Sequence, residues 1–551
     1  MSLKNLTLEG TRSSAPEVLA QFAHDASIFE ITPAEVIEPK NSADVCAVVR
    51  AVRSERIAGD AKISLTARSA GTDMSGGPLT DSVVLSCTKY LHAIHEIGPD
   101  YAVVEPGCYY RDLEKETLKK GLIFASYPAS RELCALGGIL NNNSGGEKTL
   151  RYGKTLNYVR EVSMVCADGN EYLFKAFSGI ELKNILENDT TFFGDIHRAI
   201  YALIQKHAEE IEHARPTVSK NSSGYYLWEV YDKATDTLDL SKLICGAQGT
   251  LGMVTKMKIG LVPVTPVSKM MVVMVKDVSL IPAVTEAVLA HTPESFELFD
   301  DHTFKIAMRF FFDIAKRMGG NIISLGIQFI PEFLMVLTGG IPKVVLLAEF
   351  TGTTEAEVEA EVSAAYSALS ELKKTHPGVS VRRITTEREA QKYWTFRRES
   401  FNLLRSKLKG LRTAPFIEDV VIHAKDFPAF MPRFEKLLDS YKLIYTIAGH
   451  VGDGNLHVIP LMKLHDDVSI QTIKELSEKV YELIHEFNGS ISGEHNDGLV
   501  RTPFLHMMFS SQMIELFKET KSIFDPLGIF NPGKKVGGTW EESLKHIDRR
   551  V

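Results

Sequence analysis

Three glycine- and hydroxyl-rich loops fall in one half of this chain: RSAGTDMSGG at 68–77, Gly137-Gly138 with NNNSGG at 141–146, and GAQGTLG at 246–252. Backbone so poor in side chains breaks helices and strands, and its successive N–H groups can form concavities that hold anions. One such loop reads as a plain turn. Three together favour a large phosphate-bearing cofactor laid across them. The first loop lacks the lysine of a P-loop and the GxGxxG spacing, so neither ATP nor a Rossmann cofactor is indicated.

The 551 residues are too many for one core, so two or three domains are expected. The first half alternates helix and strand signals. Ser42 reads as an N-cap, followed by Val45, Val48, Val49 and Val52 at helical spacing. Strands are predicted at 82–86 and 101–105, and a helix from about 111 to 120 that Gly121 can stop. Prolines at 263–266 mark a boundary. Beyond it, 270–275 and 344–350 read as strands. Val358, Val362, Ala365, Tyr366 and Leu369 mark an amphipathic helix, as do Ile473, Leu476, Val480, Leu483, Ile484 and Phe487. The expected arrangement here is an antiparallel sheet with helices on one face.

The second half carries GHVGDGNLH at 449–457 and GEHN at 493–496. Residues seven apart on a straight strand point to opposite faces. His450 and His457 can converge only if 452–455 turns or bulges. If it does, the two imidazoles and Glu494 make a ligand set for a divalent metal, with His495 left over as a base. The alternative is a group of hydrogen-bonded structural histidines. Upstream, Trp394, Arg397, Phe401 and Leu404 share one helical face, while Arg398 is rotated away. A guanidinium on an apolar stripe is costly unless it meets an anion, which is a substrate or a structural ion-pair partner.

A net charge of −8 and a pI of about 6.1 argue against a nucleic-acid partner. Six cysteines without CxxC spacing read as reduced packing residues of a cytoplasmic protein, with no iron–sulfur cluster. No apolar signal segment opens the chain, and no clean run of about 20 apolar residues occurs. The stretch 322–347, with Phe310, Phe311 and Phe312 before it, reads first as buried core. Its alternative is a surface touching a partner or the inner face of a membrane.

RSAGTDMSGG, Pro106-Gly107, GGILNNNSGG with Arg151-Tyr152-Gly153, and GAQGTLGMVT resemble the FAD-binding domain of the vanillyl-alcohol-oxidase type. GHVGDGNLH, SGEHNDG and the late Asp525-Pro526 and Asn531-Pro532-Gly533-Lys534 resemble the C-terminal part of FAD-linked oxidases, among them D-lactate, D-2-hydroxyglutarate and glycolate dehydrogenases. The resemblance implies an α+β fold: two α/β subdomains holding FAD, and a cap of antiparallel sheet with helices. The expected boundaries are 1–265 for the FAD domain, 266–505 for the cap and 506–551 for a segment returning to the FAD domain.

The same resemblance implies site residues. FAD is expected against Arg68, Ser69, Ala70, Gly71, Thr72, Asp73, Ser75, Gly76 and Gly77. It is also expected against Pro128, Gly138, Asn142, Ser144, Gly145, Gly146, Tyr152 and Gly153, and against Gly249, Thr250, Gly252, Val254 and Asn531. His450, His457 and Glu494 match metal ligands, zinc or manganese, and His495 matches the catalytic base. Asn455 matches a polar residue near metal and substrate, and Arg397 the substrate arginine.

The chain departs from the pattern in three places. Asn496 stands where glycine is usual. No substrate lysine of the 2-hydroxyglutarate branch is evident near 416–419, which weighs against a dicarboxylate. Ala70-Gly71 stand where the histidine for covalent attachment would be, so FAD is expected to be non-covalent. The expected activity is oxidation of a D-2-hydroxy acid such as D-lactate, with electrons passed to a quinone, cytochrome or electron-transfer flavoprotein, by a homodimer. Two alternatives are an electron-transfer subunit of a larger complex and an alkyl-dihydroxyacetone-phosphate-synthase-like flavoenzyme.

Overall fold

The computed structural model describes residues 3–309, 340–395, 397 and 410–550. Phe310 to Phe312, the apolar stretch up to 339, and Phe396, Arg398, Phe401 and Leu404 lie outside the described residues.

Three main sheets carry the chain. The first has the order Thr11–Ser13, Glu35–Glu38, Val83–Ser86, Leu65–Arg68. Its last three strands are parallel, joined through helix Ser42–Ile57, whose Val45, Val48, Val49 and Val52 are buried as the spacing predicts. The cap is Asn41 rather than Ser42: the Asn41 Oδ1 accepts the Asp44 N–H at 3.0 Å, and Ser42 is already helical. Strand Leu65–Arg68 runs straight into the first glycine loop, which therefore lies outside the carboxyl end of a parallel strand, where open α/β sheets bind ligands.

The second sheet has seven antiparallel strands, ordered Tyr231–Asp232, Thr237–Asp239, Glu171–Ser178, Val159–Val165, Met253–Gly260, Tyr101–Val104, Ile94–Ile97. The third glycine loop feeds its strand Met253–Gly260. Helix Leu136–Asn142 ends on Asn143 at φ +47°, a left-handed stop that asparagine tolerates and that opens the second glycine loop.

The third sheet is antiparallel. Its order is Val379–Ile384, Val267–Val275, Val344–Gly352, Ser295–Asp300, Ile444–His450, Asn455–Met462, Arg412–Thr413, with Val420–Val421 also paired to Asn455–Met462. Alternation along Val267–Val275 sorts its faces: Met271, Val273 and Val275 join the core under helices Ile281–Leu289, Glu355–Thr375, Phe427–Ser440 and Asp467–Glu486. Met270, Val272 and Met274 join a smaller core on the other face with Phe299, Phe304, Tyr393 and Trp394. The helix layer is where the sequence pattern predicts it. The opposite face is the one that turns toward the glycine loops.

The C-terminal segment packs more widely than a return to one domain. Helix Ser511–Phe524 joins the core of the seven-stranded sheet, and Ile529 and Phe530 join that of the four-stranded sheet. Trp540 and Ile547 belong to the helix-layer core of the third sheet. Among the described residues no helix is long and apolar enough to cross a membrane.

Candidate active site

The turn that the two histidines require is a hairpin. Strand Ile444–His450 passes through a 3-10 turn, Val451–Asp453, and Gly454 at φ +70° into strand Asn455–Met462. A Cβ on Gly454 would lie 1.8 Å from the Ile422 carbonyl oxygen, so glycine is needed there for space as well as conformation. His450 is paired with Asn455, and His457 stands two residues further on the same face. The two imidazoles are thus diagonal neighbours, with ring centroids 5.2 Å apart. Strand Ser295–Asp300 beside them places Glu297 on that face, where its Oε1 accepts from His450 Nδ1 at 2.6 Å.

Glu494 arrives from the loop after helix Asp467–Glu486. One ligand atom from each of His450, His457 and Glu494 lies within 4.8 Å of the others. Glu418, His457 and His495 satisfy the same distance test. Glu418, however, already receives Arg501 on Oε1 and His495 Nδ1 on Oε2, the latter at 2.7 Å. Glu494 takes Lys220 on Oε1 at 2.6 Å and leaves Oε2 turned to His457. The His450, His457, Glu494 set is therefore the better cation site.

The set stands in a densely charged, buried cluster. The buried carboxylates are Glu297, Glu418, Asp419, Asp453 and Glu494; the permanent cations are Lys220, Arg397 and Arg501. Lys154 donates only to neutral acceptors, Asn221 O, Ser222 Oγ and Gly493 O, and burial pulls its ammonium down to about 7. His495, pushed toward its imidazolium by Glu418 and Asp419, adds a further cation, so protein charges largely answer these carboxylates. Burial pushes Glu494 up, but Lys220 and His450 more than offset it and hold the carboxylate well below its usual range.

A cavity of about 740 Å³ joins this cluster to the glycine loops. Its far end is walled by 67–74, its flank by 137–145, and its near end by Arg397, Glu418, His450, His457, Glu494 and His495. Among the described residues, the amides of Ala70, Gly71, Thr72 and Met74 donate to no protein atom. Backbone donors left open on a cavity wall are an anion cradle. Asp73 is turned away from it. Its Oδ2 accepts from the Ser75 and Gly77 amides and Oδ1 from Asn142 Nδ2, so it ties the first two loops together. Gly145 touches both halves, since a Cβ there would lie 3.2 Å from Glu494 Oε1.

Residues 33–172 match the family described as FAD binding domain, and 265–535 that described as FAD linked oxidases, C-terminal domain. The chain belongs to the FAD-linked oxidase family. It is 28% identical over 542 residues to D-2-hydroxyglutarate dehydrogenase of Pseudomonas putida, covering 97% of this chain and 51% of that protein. It is 24% identical to glycolate oxidase subunit GlcD of Bacillus subtilis, covering 93% and 91%. The chain spans about half the length of the first curated relatives it matches. Among solved structures, an alkyldihydroxyacetonephosphate synthase superposes with a TM-score of 0.66 at 13% identity, covering 96% of this chain and 84% of that one. That likeness shows the fold alone: the mixed α+β architecture with an FAD-binding domain and a sheet-and-helix cap.

Within this FAD-linked oxidase, fourteen of the residues expected at the cofactor line the cavity: Arg68 to Asp73, Gly77, Pro128, Gly138, Asn142, Ser144, Gly145, Gly249 and Val254. Ser75, Gly76, Gly146, Tyr152, Gly153, Thr250, Gly252 and Asn531 stand behind it. Several of these have structural duties. Asn531 donates to Gly77 O and Gln248 O, bracing two loops from the C-terminal segment. Thr250 Oγ1 donates to Ala247 O, and Ser75 Oγ donates to Asp73. Asn455 also sits behind the wall, donating to Asp419 Oδ1 at 3.1 Å and Val420 O at 3.2 Å.

Arg397 lines the cavity and meets a protein anion from strand Ser295–Asp300: its Nη2 pairs with Glu297 Oε2. His495 stands between two acids, with its Nδ1 on Glu418 Oε2 and its amide donating to Asp419 Oδ2. Burial lowers its pKa, but Glu418 and Asp419 outweigh that and push it up to about 10.

Asn496, where glycine is usual, adopts φ +67°. Asparagine is among the few side chains at ease there, and its Nδ2 donates to Gly246 O at 2.9 Å. Sequence reasoning missed Glu297, Glu418, Asp419, Lys220 and Arg501. The available signal was a carboxylate inside the apolar strand Ser295–Asp300 and paired acids in the apolar run 416–421. Lys220 lies in a loop with no periodicity to mark it.

Proposed function

We propose that this chain is an FAD-dependent dehydrogenase that oxidises a D-2-hydroxy acid of D-lactate size to the 2-oxo acid. The observation that carries this reading is the one cavity in which open loop amides face a histidine base, an arginine and a His–His–Glu set. Non-covalent FAD would supply the hydride acceptor. A zinc or manganese ion held by His450, His457 and Glu494 would supply Lewis-acid polarisation of the substrate hydroxyl.

The chain's own residues set the geometry. Arg397 orients the substrate carboxylate with the guanidinium donors that Glu297 leaves unused. His495 Nδ1 is fixed on Glu418, so Nε2 is the atom that takes the hydroxyl proton. Glu418 favours the imidazolium, so the free base becomes abundant only at high pH or when positive charge is added beside Glu494. Among the described residues, Arg397 is the one arginine or lysine lining the near end, and the smaller acid is the reading chosen for test. At the far end Arg68 donates to the Phe22 and His24 carbonyls. The electrons pass on to a quinone, cytochrome or electron-transfer flavoprotein.

The size of the acid is tested by comparing D-lactate with D-2-hydroxyglutarate. The proposal expects a higher kcat/KM for the monocarboxylate, and preference for the dicarboxylate contradicts it. Denaturing the protein with acid should release yellow FAD into the supernatant, and flavin retained on the washed polypeptide contradicts non-covalent binding.

A further inference from the structure

Glu297 holds two partners that the proposed function places in different roles. Oε1 accepts from Nδ1 of His450 at 2.6 Å, and Oε2 pairs with Nη2 of Arg397. Its side chain has no solvent exposure, so each oxygen's partner matters. We propose that Glu297 is a positioning residue that joins the metal set to the substrate arginine, an inference resting on the reading of His450 as a ligand.

With Nδ1–H donated to Glu297, the imidazole of His450 is held in the tautomer whose Nε2 carries the lone pair. Nε2 is the atom facing Glu494, at 3.4 Å from Oε1. A carboxylate behind a histidine also makes it a stronger donor to a cation, and loss of such a partner typically weakens metal binding. The other oxygen keeps the Arg397 guanidinium on the same strand face as the ligands. A substrate carboxylate that draws Arg397 toward itself leaves more of the Glu297 charge to His450. The two subsites are thereby energetically linked rather than merely adjacent.

Zinc affinity of the full FAD-loaded chain, read by competition with a chromophoric chelator, tests this without turnover. Glu297→Gln should weaken zinc by roughly 10- to 100-fold with FAD content unchanged. Arg397→Met, which leaves the His450 contact intact, should not weaken it. Unchanged affinity in Glu297→Gln, or equal weakening in both variants, overturns the inference. If wild type binds no zinc, or His450→Gln binds it as well as wild type, the metal reading itself fails, which is a separate outcome. Should Glu297→Gln not fold, the ¹⁵N-histidine spectrum of the wild type decides, with the His450 signal assigned through His450→Gln. In the zinc-loaded chain, a proton on Nδ1 with none on Nε2 supports the inference, and a proton on Nε2 overturns it.

Discussion

The behaviour of His495 is set by what stands behind it. Glu418 fixes its Nδ1 and favours its charged form, with the pKa pushed up to about 10 after burial has lowered it. Catalysis by the neutral form should therefore rise with pH, and Glu418→Gln should move that ascending limb of kcat/KM to lower pH. A limb that stays in place would mean that another group titrates there. His495→Asn should slow flavin reduction on the order of 10²- to 10⁴-fold with FAD content intact, and a wild-type rate would send the proton elsewhere. Arg397→Lys should lose part of kcat/KM because a point charge replaces a fork. Arg397→Ala should lose about 2–4 kcal/mol of transition-state binding, the range for removing one partner of a buried charge pair. If both variants act on the hydroxy acid as wild type does, Arg397 serves only Glu297.

At the scale of elements, the decisive contact is between the second glycine loop and the Glu494 loop. A Cβ on Gly145 would lie 2.7 Å from Thr149 Oγ1 and 3.2 Å from Glu494 Oε1. Gly145→Val should therefore displace Glu494 and cost about 1–3 kcal/mol as overpacking, seen as a lowered Tm together with lost metal. Unchanged Tm and metal content would show that the loop gives way freely. The same elements show what a sequence can reveal. The valines of Ser42–Ile57 and the alternating run of Val267–Val275 obey a local period, so helix and strand are visible from them alone. His450 and His457 were also legible as a pair, because glycines between them signal the turn that a hairpin supplies. Glu297 was not. It is one carboxylate in an otherwise ordinary strand, and its meaning comes from a residue 153 positions away. Asn455 shares the motif with the histidines; its Nδ2 donates to Asp419 and Val420, while its Oδ1 has no hydrogen-bond partner among the described residues.

Across the whole molecule, three cores are tied together by a segment that visits each of them, so damage to one should be felt globally. His197 gives a pH test of that stability in the core of the seven-stranded sheet. It is fully buried among Phe174, Phe177 and Phe193, and burial pulls its pKa down to about 4. Below about 6.5 the unfolded chain takes up a proton that the folded chain refuses. Stability is thus lost as the pH falls from 6.5 toward 4, by up to ~3 kcal/mol from this group. His197→Leu should flatten the fall of Tm with pH in that window relative to wild type, and parallel curves would assign the acid sensitivity to other groups.

The proposed function rests on one cavity with loop amides at one end and His495, Arg397 and the His450–His457–Glu494 set at the other. Its most direct test is anaerobic mixing of the FAD-loaded chain with the two enantiomers of lactate while flavin absorbance is followed. The account predicts rapid bleaching with D-lactate, little with L-lactate, and loss of bleaching in His495→Asn. Bleaching by the L-enantiomer alone, or by neither lactate nor any other D-2-hydroxy acid, would contradict it.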